Sequence, residues 1–273
     1  MQRRLNTFCF LFVLFLLGGS LSMPLVAEAS DITASVRADL APTGKLRAGV
    51  NYQNFILAAK DPTTGKPKGV AIDVAEEIAR RLGVPAEIVV YDTVPAMVDA
   101  APTNAWDIAF CGSAPQREAT MSFTQAYLEI EASYLVPGSS PLKAVADVDR
   151  AGVRIAAQDR ANYELFLTRT LKHAELVRMQ DPMDAFGLLA AGKVDALASL
   201  SQALYDFAQK LPGSRVLEGR FMAVQQSIAV PKGRDAGLAY LRYVAEEIKK
   251  SGLVARGLER LGARGVAVAP PLK

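Results

Sequence analysis

This chain of 273 residues is poor in the side chains that staple folds and hold metals, with two cysteines and one histidine. Cys9 lies in an N-terminal apolar run, so Cys111 is the single cysteine beyond it. An internal disulfide is therefore excluded once that run is removed, and the core must hold without staples. One thiol and His173 cannot assemble a Cys/His metal cluster, and no metal or other cofactor is expected. His173, between Lys172 and Ala174 near a helix end, reads as a surface residue. The chain also lacks a charge excess: 31 basic residues face 28 acidic ones, a net charge of +3. That balance gives no reason to expect nucleic acid or a charged membrane surface as a partner. The one tryptophan, Trp106, precedes a strand and reads as packing.

Long apolar runs are missing too, except at the start. Arg3 and Arg4 precede the run Leu5–Leu17, and Ala27-Glu28-Ala29 offers small residues around a cleavage point after Ala29. This is the pattern of a secretory signal peptide over residues 1–29, with export of the remainder to the periplasm. The apolar core is shorter than the ~20 residues a membrane-spanning helix needs.

What is present, from Leu46 onward, is an alternation of short apolar runs with helix-period segments. Leu46–Val50 reads as a strand that runs into the loop Asn51-Tyr52-Gln53-Asn54. The turn Asp61–Pro67 carries the clustered Asp, Pro and Gly of a hairpin. Lys66 after Gly65 is not a phosphate loop, because Pro67 stands where Ser or Thr is required. In AIDVAEEIARRLG, Ile72, Ala75, Ala79 and Leu82 share one helix face, with Glu76, Glu77, Arg80 and Arg81 opposite and Gly83 as the stop. The β-branched run Glu87–Tyr91 predicts a strand, Pro95–Ala101 a short helix and Trp106–Cys111 another strand. Leu128–Val136 is extended and is broken at Pro137–Pro141. The grammar then repeats: strand Val153–Ala157, helix Ala161–Leu171, strand at Leu176 and Val177, helix Pro182–Ala191, strand Val194–Ala198. Met222–Val230 is extended, and two helices, Asp235–Lys250 and Val254–Leu261, follow. The tail Val266–Pro271 has no evident partner. Strands alternating with helices predict an α/β fold of mostly parallel sheets flanked by helices.

Four segments carry a more specific likeness. Gly69-Val70-Ala71-Ile72-Asp73-Val74-Ala75 with Arg81-Leu82-Gly83, Pro115-Gln116-Arg117 with Ser122-Phe123 and Tyr127, Gly192-Lys193-Val194-Asp195-Ala196, and Ile228–Gly233 occur in order. Together they resemble the bacterial extracellular solute-binding proteins of family 3, the amino-acid type, across residues 44–262. The resemblance implies a two-lobed periplasmic-binding-protein fold of type II. Residues 30–131 would open lobe I, 132–224 form lobe II, and 225–273 complete lobe I. Leu128–Val136 and Met222–Val230 would cross the hinge, and the ligand would lie between the lobes. The implied role is the substrate-binding component of an ABC importer, a monomer that closes over a small carboxylate-bearing solute and presents itself to a membrane permease.

The same resemblance points to site residues. Arg117 matches the arginine that pairs with the ligand's carboxylate, a task suited to the two-pronged guanidinium. Gly112 and Ser113 fall where further donors complete that pocket. Asn51 and Tyr52, with Phe55, fall in the first ligand loop, and Thr93 falls near another ligand position. In the second unit, Arg160 and Asn162 sit at a helix start that can present backbone N–H groups to an anion, and Ser199 flanks Leu200. Leu200 is the main departure, because amino-acid binders carry an aspartate there for the ligand's ammonium. A small organic anion is therefore as consistent with the residues as an amino acid. No catalytic residue is marked. Two further readings use the same fold: a periplasmic enzyme resembling cyclohexadienyl dehydratases, with Asp159 or Glu164 as the acid, and an accessory or sensing protein for a periplasmic partner.

Overall fold

The computed structural model describes residues 31–272. The signal-peptide reading of residues 1–29 lies outside them. The first unit of the chain comprises α1 (Ala34–Leu40), β1 (Leu46–Asn51), the hairpin β2 (Ala59–Lys60) and β3 (Pro67–Lys68), α2 (Val70–Leu82), β4 (Ala86–Tyr91), α3 (Val94–Asp99), β5 (Ile108–Gly112) and β6 (Met121–Phe123). Then come β7 (Leu128–Val136) and the second unit: β8 (Arg154–Gln158), α4 (Asn162–Thr170), β9 (Glu175–Met179), α5 (Pro182–Ala190), β10 (Ala196–Leu200), α6 (Ser201–Lys210) and β11 (Arg215–Val216). The chain returns through β12 (Met222–Pro231) to α7 (Asp235–Lys250), α8 (Leu253–Leu261) and β13 (Val266–Val268).

Helix α2 forms where the apolar spacing predicts it. Ile72, Ala75, Ala79 and Leu82 are buried, Glu76 and Arg80 are exposed, and Glu77 and Arg81 are half-buried. Gly83 adopts φ +68° and ends the helix with its N–H on the carbonyls of Ala79 and Arg80, a left-handed cap that favours glycine. The first core joins α2 to α7 and α8 through Leu238, Leu241, Val244, Ile248 and Val254. The last helices therefore pack on the first unit although the second separates them in sequence. Trp106 is fully buried and donates its indole N–H to Met97 O at 3.0 Å. His173 is exposed.

Register explains how two units share one sheet path. β1 pairs in parallel with β4 and β5, and β8 pairs in parallel with β9 and β10. Between them run the two long strands. β12 lies antiparallel to β5 at one end (Gln226↔Gly112) and to β7 along its start (Met222↔Ala132). β7 lies antiparallel to β10 (Ser199↔Ser133). Residues 128–130 of β7 belong to the first core and residues 132–136 face the second-unit cores. Both connections that cross between the lobes are thus single continuous strands.

Several elements differ from what the residue pattern predicts. α1, β6, α6 and β11 were not anticipated, and the tail is not without a partner. β13 pairs with β7 (Val266↔Ile130), adding a strand beside the crossover. Only the return of the chain after α8 brings it there.

Candidate functional site

The parallel strands all point their carboxyl ends at one cleft between the lobes. Asn51 ends β1, Gly112 ends β5, Gln158 ends β8, and Ser199 and Leu200 end β10. Side chains at such ends are free of the next ladder bond and converge on the crevice outside the sheet. There they line a cavity of about 290 Å³. Apolar walls come from Phe55, Phe110, Leu200, Phe207 and Val224.

Arg117 enters this cavity from a tight turn at Pro115–Arg117 and is only 4% exposed. Nη1 donates to Gly112 O at 2.7 Å, and Nη2 donates across the cleft to Arg160 O at 3.0 Å. Among the described residues it forms no ion pair; the side chain is held by backbone dipoles. A buried cation without an acid is costly unless an anion joins it. The electrostatics around it point the same way. α4 and α6 begin on the cavity wall at Ala161 and Leu200, and neither start carries a side-chain cap. Uncapped helix N-termini add positive potential. Cys111 lies beside the guanidinium; burial pushes its thiol pKa up, and Arg117 pulls it back down. Tyr163, on the same wall, has its phenol pushed up to about 12 by burial, with Ser199 acting in the opposite direction.

Of the residues expected from sequence, the cavity brings together Arg117, Gly112, Asn51, Asn162 and Ser199. Gly112 has a steric reason to be glycine. A Cβ there would sit 2.6 Å from Asn162 Nδ2 and 2.7 Å from Val224 Cγ1. Asn162 in turn donates to Ser113 O at 3.0 Å across the cleft.

The other four stand apart from the wall. Ser113 is tied by its backbone, its N–H on Gln225 O at 2.9 Å. Tyr52 packs against the first hydrophobic core. Thr93 caps α3, accepting from Ala96 N at 3.1 Å. Arg160 does not turn its charge inward. It adopts φ +56°, and its guanidinium reaches over the cleft to Asp99, Nη1 to Oδ2 at 2.9 Å. Its neighbour Asp159 is not its partner and accepts from Gln180 at 3.2 Å. Glu164, the other acid considered for catalysis, is buried in the first turn of α4 and pairs with Arg178 at 2.8 Å. Neither acid lines the cavity.

Several lining residues were missed by the sequence reading: Gln158, Gln226, Gln202, Asp206 and Phe207. One signal was available for Gln226, because the polar triplet Gln225-Gln226-Ser227 interrupts an otherwise apolar extended run. Gln158 donates across the cleft to Gln53 Oε1 at 2.7 Å.

The chain matches the bacterial extracellular solute-binding proteins, family 3, over residues 46–261. The chain belongs to that family. A glutamine-binding protein of Geobacillus stearothermophilus is 25% identical over 182 residues, covering 65% of this chain and 69% of the relative. The ABC transporter glutamine-binding protein GlnH of Bacillus subtilis is 23% identical over 247 residues, covering 89% and 90%. Among solved structures, a mutant of ArgBP from T. maritima superposes with a TM-score of 0.68 at 25% identity, covering 83% of this chain and 98% of that one. The architecture is accordingly the two-lobed type II periplasmic-binding fold.

Proposed function

We propose that this protein is the periplasmic substrate-binding component of an ABC importer. It takes up a small carboxylate-bearing solute between its lobes and closes over it. The observation that carries the reading is Arg117, a buried guanidinium in the interlobe cavity whose own bonds go to two backbone carbonyls. A carboxylate there would gain a charge-assisted fork and neutralise the site. The relatives support the transport role, since the B. subtilis protein of similar length is named for an ABC transporter. The chain would be exported through residues 1–29, act as a monomer and deliver its ligand to a membrane permease. Its lobes would be residues 30–131 with 225–273, and residues 132–224.

A ligand that binds only the native state stabilises it by RT ln(1 + L/Kd), with L the free ligand concentration, so the melting temperature rises as ligand is added. A thermal-shift screen of small carboxylates, followed by calorimetry, is expected to find a stabilising ligand. Arg117→Ala should abolish the shift while leaving the unliganded protein folded by circular dichroism. Unchanged binding in that variant would remove Arg117 as the anchor.

A further inference from the structure

Three amide oxygens on the cavity wall are buried and accept no hydrogen bond among the described residues: Asn51 Oδ1, Asn54 Oδ1 and Gln226 Oε1. These residues are 2%, 9% and 3% exposed. Asn51 ends β1, Asn54 lies in the loop after it, and Gln226 comes from β12, so two separate parts of the fold bring acceptors to one space. A buried acceptor without a donor costs about 1–3 kcal/mol, so the arrangement suits a ligand that supplies donors.

The charges on the same wall restrict what kind of donor fits. Arg117 is the one buried charge of the lining. Asp206 and Lys210 lie one turn apart on α6, half-buried and exposed respectively, and Asp206 already accepts from Gln202 at 3.2 Å. Leu200 contributes only an apolar surface. A ligand ammonium would bring a second cation into a space that already holds Arg117, with carbonyl oxygens and no deep carboxylate to receive it. A hydroxyl donates to an amide oxygen without adding charge.

We infer that the ligand is an amine-free hydroxycarboxylate: one carboxylate for Arg117, uncharged hydroxyl donors for Asn51, Asn54 and Gln226, and an apolar segment against Phe55, Phe110 and Phe207. This rests on the carboxylate-binding reading above and narrows it to a chemical class. It also gives Leu200 a role. An apolar side chain at that point leaves the cavity with a net positive charge that a monoanion cancels and a zwitterion does not.

The test is calorimetry on matched series that share a carbon skeleton. The 2- and 3-hydroxy acids of leucine and phenylalanine size are compared with the corresponding amino, 2-oxo and unsubstituted acids. The hydroxy acids are expected to bind at least tenfold more tightly than both the amino acids and the unsubstituted acids. Leu200→Asp, which adds a carboxylate to the wall and a favourable N-cap to α6, is expected to reverse the preference towards the amino acids. Gln226→Met is expected to narrow the gap between hydroxy and unsubstituted acids. Thermal melts of both variants establish that they are folded. Tighter binding of the amino acids or the 2-oxo acids overturns the inference while leaving the carboxylate reading intact. So does an unchanged preference in folded Leu200→Asp. If no acid of any series binds, both fall together.

Discussion

At the scale of single residues, two arginines 43 positions apart in sequence show how environment sets a role. Arg117 and Arg160 lie on facing sides of one cleft, and the carbonyl of Arg160 accepts from Arg117. Arg117 is buried with no acid beside it, so its charge is available to a ligand. Arg160 is half out in solvent and satisfied by Asp99. Gly112 is as consequential as either. Its lack of a side chain lets Asn162 and Val224 close on β5, and a Cβ would meet both inside van der Waals distance. Overpacking of this kind costs about 1–3 kcal/mol. Gly112→Ala should therefore weaken ligand binding roughly tenfold or more. Small-angle scattering should find the liganded variant more open than the wild type. An affinity equal to wild type would mean that the lobes do not meet at Gly112.

At the scale of elements, the first lobe is fastened by a buried acid rather than by a disulfide. Asp107, fully buried just before β5, accepts from the backbone N–H of Arg47 at 2.9 Å and from its guanidinium at 3.0 and 2.7 Å. Arg234, at the start of α7, also approaches it at 3.4 Å. One carboxylate thus ties β1, β5 and α7 together. Removing it leaves two largely buried guanidinium groups without their acid, which typically costs about 3–5 kcal/mol. Asp107→Ala should lower the urea midpoint accordingly; a loss below about 1 kcal/mol would show that solvent reaches the network freely. The matching pair in the second lobe, Asp195 with Arg154, is more exposed, at 40% and 42% of its side chains. It is correspondingly a weaker fastening.

At the scale of the whole molecule, the two long strands β7 and β12 are the continuous connections between the lobes and keep both in one sheet path. Polar contacts bridge the cleft: Arg117 to Arg160 O, Asn162 to Ser113 O, Gln158 to Gln53, Arg169 to Gln116 at 2.8 Å, and Arg160 to Asp99. They differ in worth. The Asp99–Arg160 pair is exposed on both sides, and such pairs contribute about 0–1 kcal/mol, screened by salt. Asp99→Asn should change ligand affinity by less than about fivefold, with the difference shrinking as salt is raised. A larger, salt-insensitive loss would make that pair a true latch. The contacts through Arg117 and Asn162 lie deeper and are expected to carry most of the closed-state preference.

Much of this was legible in the residue order. Helix α2 and its Gly83 stop, the strands β4 and β8, the two long crossovers and the final helices follow from apolar periodicity and punctuation by Gly and Pro, which act within a few residues. The motif around Arg117 singles out a residue that the fold buries in the interlobe cavity, and Leu200 lines the same cavity. Tertiary structure decided the rest, because it depends on neighbours far apart in the chain. β13 became a strand only through β7, more than 130 residues earlier. Arg160 was drawn away from the ligand space by Asp99, an acid on the other lobe. Thr93 and Ser113 were committed to a helix cap and a sheet edge. The orphaned oxygens of Asn51, Asn54 and Gln226 share a space only because the end of β1 and the middle of β12 border the same cleft. Local sequence fixes which backbone forms, since helices and turns are satisfied by near neighbours. What a buried polar side chain does depends on which distant partner reaches it first.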